Sequence, residues 1–309
     1  MERKLAILPV ALSCFVHRRR GLAKVEDLDP TSSRAVAEYL SVLDDAAFGG
    51  ATPVEPKTIS PTDPAARYTA AADEPAVYAY SDNYLIDLKH AVIMDVEATT
   101  AIRQVEVGAA KTMLDRTAEE FDVQPSRLVA DAGYGSAEML GWLVDERGIE
   151  PHVKVFDKSE RTDGAFSRGD FAYDTEVDVY ICPGGNELMT YRRAFAVPRD
   201  GVMKDGTIRY RASKFDCEAC ALKPKFCPNA VARKIARSIY EAARDKARAI
   251  AKTAVVEMLF AHLKRILGLD RLRLRGPDGA KDEFLLAATA QNLRKLAKLI
   301  PFQAPVFAT

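Results

Sequence analysis

The chain has 309 residues, 48% of them hydrophobic and 28% charged, with 44 Lys and Arg balancing 44 Asp and Glu. That composition is expected of a soluble globular protein, excludes a disordered chain or a collagen-like repeat, and at this length allows about two domains. The neutrality conceals an asymmetry, because residues 1–200 carry 22 basic and 34 acidic side chains whereas residues 201–309 carry 22 and 10. A basic half points to a polyanionic partner, with a solvated helical surface as the plainer reading.

Arg3 and Lys4 precede an apolar run, Leu5–Val16, that ends in His17-Arg18-Arg19-Arg20. The run imitates a secretory signal, but arginines stand where a small-residue cleavage site belongs, and it is shorter than the roughly 20 residues that span a bilayer. A buried strand or a non-native start is expected instead, in a cytoplasmic protein with no membrane contact. Val36, Tyr39, Leu40, Leu43 and Ala47 recur at helical spacing, predicting a helix over 32–48 that Ser32 or Ser33 caps and Gly49-Gly50 stops. Five prolines in 51–75 predict an extended connector that is not a packed element.

Two runs, 77–87 and 91–98, joined by Leu88-Lys89-His90, predict an antiparallel hairpin. Ile102, Val105, Ala109, Met113 and Leu114 give a helix over 101–121. Leu128-Val129-Ala130 reads as a short buried strand ending on Asp131, which leads through Gly133 and Gly135 into a helix over 136–147, capped by Ser136 and closed by Gly148. His152–Val155 reads as another strand. This order predicts an α/β layer on a partly parallel sheet. Residues 157–232 interrupt it with Gly, Pro, Tyr and four of the five cysteines, as an inserted Cys-containing β-rich module. A long basic helix over 236–267 and an amphipathic helix over 281–299 follow. The expected division is 1–75 (helix and connector), 76–156 (first part of the core), 157–232 (inserted module) and 233–309 (C-terminal helical part).

Asp131 is the most suggestive residue: a carboxylate at the C-terminal end of a buried strand sits where α/β folds present catalytic groups, and the flanking glycines would let a ligand approach. On geometry alone an Asp that begins a strand-to-helix turn is more often a cap or turn residue. Glu257 lies within Ala254–Phe260, an apolar stretch, with Lys264 two helical turns on; it requires a cation, a metal or a rim salt bridge. Cys217-x₂-Cys220, with Cys227 and the distant Cys182, supplies four soft ligands for structural Zn²⁺, with reduced thiols as the alternative. The count and clustering exclude a secreted disulfide scaffold.

Three blocks carry a resemblance: Val129–Ser136 (VADAGYGS), Val256–Lys264 (VEMLFAHLK) and Leu286–Leu293 (LAATAQNL), together with the Ser60-Pro61-Thr62-Asp63-Pro64 connector. In this order they resemble the bacterial insertion-sequence DDE transposases of the IS4/IS5-like superfamily. The resemblance implies a ribonuclease-H-like catalytic core, mixed sheet flanked by helices, that cleaves and transfers double-stranded DNA at transposon ends with Mg²⁺ or Mn²⁺. In it Asp131 and Glu257 are catalytic metal ligands, and Lys264, Arg265, Arg271, Arg273 and Arg275 contact DNA phosphates. Related enzymes usually act as homodimers. The first family aspartate belongs on the opening strand, yet Leu5–Val16 contains no acid. The resemblance therefore implies a copy truncated at the N-terminus and shortened before the glutamate, with impaired cleavage unless Asp87 or Asp95 substitutes. The alternative is a non-catalytic DNA-binding derivative that keeps the zinc module.

Overall fold

The structure is a computed structural model that describes residues 3–14, 25–48, 59–69, 76–157, 165–190, 201–226, 229–251 and 271–300. The apolar opening run forms strand β1, Lys4–Cys14, with Leu5, Ala6 and Ile7 buried. Helix α1 is Arg34–Ser41, shorter than its periodicity predicts; Ser33 Oγ accepts from Val36 N at 3.3 Å, and the helix yields to turns that tuck Phe48 into the core. The connector is a correction. Ile59, Ser60, Asp63, Ala65 and Ala66 are buried, and Arg67–Thr69 is strand β2. Around Pro61 and Pro64 the described part forms turns, and Asp63 anchors it by accepting from the Tyr80 hydroxyl at 2.6 Å and from Gly276 N at 3.2 Å.

The predicted hairpin is β3 (Val77–Asp87) and β4 (Val92–Thr100). Helix α2 is Arg103–Phe121, ended by Asp122 in the left-handed region. Strand β5 is Arg127–Ala130, α3 is Ala137–Gly141 continuing into a wider turn over Trp142–Glu146, and β6 is Glu150–Val153. β1 runs antiparallel to β3 and parallel to β5, and β5 is parallel to β6. With β4 on the outer edge of β3, the strand order is β4-β3-β1-β5-β6.

Period-two alternation then gives the sheet two apolar faces. Ala6, Tyr78, Tyr80, Tyr84, Ile86 and Val129 meet α1 and the C-terminal helix on one face. Leu5, Ile7, Leu85 and Leu128 meet α2 and α3 on the other.

A second, antiparallel sheet holds β7 (Ala172–Asp174), β8 (Val179–Ile181), β9 (Glu187–Met189), β10 (Thr207–Ala212) and β11 (Lys234–Ser238), with short helices α4 (Lys214–Glu218) and α5 (Lys223–Phe226) after β10. The long helix predicted from 236 therefore starts later, as α6, Glu241–Ala251. Lys234–Ser238 pairs with β10 from Arg211 to Thr207, a non-local partner that overrides local helix propensity. Arg271–Leu272 forms β12, and α7 runs Gly276–Leu299 with Pro277 in its first turn. Asn292 brackets the edge of β4, accepting from Ile93 N at 2.9 Å and donating to Ile93 O at 2.8 Å. No helix among the described residues is long and apolar enough to cross a membrane.

One buried group opposes folding. Asp82 on β3 is 0% exposed and neither carboxylate oxygen has a hydrogen-bond partner; the Tyr84 hydroxyl is near but forms no bond of normal geometry. Burial holds the Asp82 carboxyl well above the ordinary carboxylate range. The native state therefore retains a proton that the unfolded chain loses above about pH 4, and stability falls as pH climbs through that window. Asp82→Asn removes the ionisable group at nearly constant volume, and with it the cost of keeping that group protonated above about pH 4. It should raise stability at pH 8 by about 1–3 kcal/mol, with the gain vanishing near pH 4, read by urea unfolding at both pH values.

Candidate active site

Asp131 emerges exposed from the C-terminal end of β5. β5 pairs with β1 only from Lys4 to Ala6, and β12 joins the same edge of β1 at Ser13 and Cys14. Asp131 thus leaves the sheet in the gap between them, beside the middle of β1. Its Oδ1 accepts from Gly133 N at 2.7 Å, so the turn that follows fixes the carboxylate's direction. The predicted cap role is realised, one residue past the end of β5.

Gly135 corrects an expectation. A Cβ there would lie 2.0 Å from the Lys154 carbonyl oxygen and 2.9 Å from Phe156 N, while Phe156 N donates to Gly135 O at 2.9 Å. The missing side chain makes room for the protein's own backbone after β6, not for a ligand. Gly135→Ala must push that backbone aside, a rigid obstacle with no rotamer to escape into. It should cost about 3 kcal/mol in denaturant unfolding and move the Asp131 turn.

Around Asp131 lie residues that sequence reasoning missed. Glu106, in the first turn of α2, is half-buried; burial raises its carboxyl above the ordinary range, the Asp131 charge adds to that, and Ser81 and Arg103 oppose it. Tyr134 is 1% exposed, and burial together with the charges of Glu106 and Asp131 pushes its hydroxyl upward. Arg103 Nε lies 3.6 Å from where a Gly133 Cβ would stand, which puts the start of α2 against this turn. Helical and strand periodicity cannot reveal such a cluster, since the packing of α2 against β3 and against the turn after β5 decides it.

Asp87 and Asp95 are not brought there. Asp87 pairs with Leu5, which pairs with Leu128; it therefore sits about 10 Å back along the strands from Asp131 and about 10 Å across. It accepts from Lys89 N at 3.1 Å and meets His90 Nδ1 at 2.6 Å, closing the hairpin turn. Asp95 pairs with Leu85 and is held by Arg116 Nε at 2.8 Å and Nη2 at 3.0 Å.

Glu257, Lys264 and Arg265 lie outside the described residues, as does Cys227. Arg271 is on β12, which joins the edge of β1 that Asp131 adjoins, and Arg273 and Arg275 follow it, exposed, past the last paired residue of β1. Arg275 also helps hold down the Asp63 carboxyl, which burial raises.

The family described as transposase DDE domain matches residues 51–293, most of the chain. The chain belongs to that transposase family. The match opens after β1 and includes Asp131, Glu257 and the α7 block. No curated protein and no solved structure matches the chain. Membership makes this a transposase domain of mixed α/β architecture, in a family whose members generally depend on divalent metals and act on DNA.

In this transposase domain the described cysteines stand apart from Asp131. Cys182, Cys217 and Cys220 line one pocket of the second sheet with Asn186, Asp216, Lys223 and Arg233. The sulfurs of Cys182 and Cys220 both lie 3.5 Å from where a Gly184 Cβ would be, and Asn186 N donates to Cys182 Sγ at 3.3 Å. Among the described residues no group of three or more His, Cys, Asp or Glu is arranged to hold a metal ion.

Proposed function

We propose that this chain is an insertion-sequence DDE transposase that binds double-stranded DNA ends and cleaves them poorly. The observation that carries the reading is the position of Asp131, just past the end of β5, next to a strand β1 that reads KLAILPVALSC and holds no acid. The strand order β4-β3-β1-β5-β6 supports a ribonuclease-H-like core, in which carboxylates gather at this end of the central strands.

In this reading Asp131 and Glu257 hold Mg²⁺ or Mn²⁺, which supplies charge stabilisation to the attacking and leaving oxygens of an in-line displacement. The described residues fit a hard cation: an exposed carboxylate held in one direction by Gly133 N, with Glu106 beside it. Asp131 positions, the glycine turn orients, and Arg271, Arg273, Arg275, Lys264 and Arg265 bind the phosphate backbone. A homodimer would pair two ends. The other reading, a non-catalytic DNA-binding derivative, is favoured by the same acid-free β1 and differs only in having no residual cleavage.

Binding of a duplex carrying the element's ends, followed by mobility shift from 50 to 200 mM salt, tests the DNA partner. Affinity should fall at least about tenfold across that range, since the five cations displace counterions from phosphates. Replacing Arg273 and Arg275 together by alanine should flatten the slope. A binding constant independent of salt contradicts the reading.

We also propose that Cys182, Cys217, Cys220 and Cys227 take one structural Zn²⁺. The shared pocket and the amide donated to Cys182 Sγ support it. Elemental analysis of purified protein should find about one zinc per chain, and Cys217→Ser should lose it. Protein free of zinc when prepared without chelators contradicts this.

A further inference from the structure

The second sheet has an apolar inner face and a charged outer one. Strand alternation turns Ile208, Tyr210 and Ala212 of β10 inward, toward Tyr180, Leu188 and Ile235, and leaves Arg209 and Arg211 exposed outside. Arg211 pairs across the ladder with Lys234 of β11, which is also exposed. The two arginines therefore stand about 7 Å apart along β10, with Lys234 about 5 Å across from Arg211. Like charges placed directly opposite destabilise a sheet. Among the described residues no side-chain hydrogen bond or ion pair of these three offsets that cost. Asp205 lies in the field of Arg209 but is bonded to Thr207 N at 3.2 Å and to Thr207 Oγ1 at 2.6 Å. The exposed acids Glu187 of β9 and Asp174 of β7 stand on the side away from β11. Protection of a sheet edge accounts for Lys234, since β11 is the outermost strand, but not for two arginines on β10, which has a strand on either side.

We propose that Arg209, Arg211 and Lys234 form a second DNA-binding surface, which takes the phosphate backbone of a duplex. The inference rests on the transposase reading and adds to it a contact on a different sheet from Arg271. A polyanion is the partner that converts the repulsion between Arg211 and Lys234 into attraction. Each guanidinium offers a fork of N–H donors to phosphate oxygens, and the ammonium adds a point charge. No internal salt bridge has to break before any of the three can bind. Such contacts position a duplex and carry no sequence preference.

The test is a mobility shift of the full chain on a duplex of random sequence, over a range of salt. Arg209→Ala/Arg211→Ala should weaken binding about tenfold or more at low salt and reduce the salt slope by about two phosphate contacts. Lys234→Glu sets opposite charges across the ladder. It should raise the thermal unfolding midpoint while weakening DNA binding, a combination that a purely structural role does not give. Thermal unfolding without DNA shows whether each variant folds; should the double variant not fold, Lys234→Glu decides, and unchanged affinity there overturns the inference. Wild-type affinity and slope in the folded double variant, with loss in Arg273→Ala/Arg275→Ala, overturns it and leaves the transposase reading standing. As large a loss in Lys246→Ala, exposed on α6, also overturns it, because total charge and not this face would then set the affinity. Wild-type binding in both double variants overturns both.

Discussion

Replacing Glu241 by alanine should destabilise the fold by about 3–5 kcal/mol, the largest loss expected of any single side chain here. Glu241 is 2% exposed and receives three guanidinium groups: Arg168 and Arg244 at 2.8 Å on Oε2 and Arg248 at 2.9 Å on Oε1. Asp157 completes the network, meeting Arg248 at 2.7 Å and Arg168 at 2.8 Å, and Arg244 donates to Phe156 O at 3.1 Å. The cluster ties α6 to the segment after β6 and to the start of the second sheet. Removing Glu241 leaves three cations, Arg168 and Arg244 largely enclosed, with one carboxylate fewer, and uncompensated buried charge is what makes such losses severe.

The pH dependence follows from the same contacts. Burial pulls the Glu241 carboxyl upward, but the three arginines outweigh it and hold it below the ordinary range. The stabilisation is therefore complete above the unfolded value, near pH 4.3, and is lost as pH falls through the depressed native value. Urea unfolding of wild type and Glu241→Ala should differ most at pH 7 and converge in acid. A difference under about 1 kcal/mol at pH 7 would show that solvent reaches the cluster.

The second large effect is catalytic. In-line phosphoryl transfer on two ions needs carboxylates for both, and β1 supplies none. In the proposed reading Asp131 and Glu257 would hold one ion well and the other poorly. Losing charge stabilisation at one reacting oxygen raises the barrier by several kcal/mol, on the order of a thousandfold in rate. Phosphate binding by the basic residues is independent of that loss, so binding and cleavage should separate.

Much of the fold was legible because its signals are local. The hairpin, α2 and the β5 strand ending on Asp131 follow from apolar period and from caps at Ser136 and Gly148. What was missed depends on distant partners. Lys234–Ser238 carries no local mark of the strand that β10 makes it, and the connector packs because Asp63 reaches Tyr80 and Gly276, far along the chain. The site divides the same way: Asp131 is visible as a strand-end acid, whereas Glu106, Ser81 and Tyr134 come into one neighbourhood only once α2 packs against β3 and the turn after β5. Glu241 reads from sequence as one more helical charge, and only the fold surrounds it with arginines.

The most direct test is a nicking assay on duplex DNA carrying the element's own ends, with Mg²⁺ or Mn²⁺, beside a variant with an acid restored on β1 at Ala11, the residue paired with Ser81. Wild type should bind the duplex and nick it at a rate on the order of a thousandfold below the Ala11→Asp variant, with Asp131→Ala abolishing the nicking of both. Robust cleavage by the wild-type chain, lost in Asp131→Ala and not improved by Ala11→Asp, would show that a complete carboxylate set exists without β1 and would contradict the account.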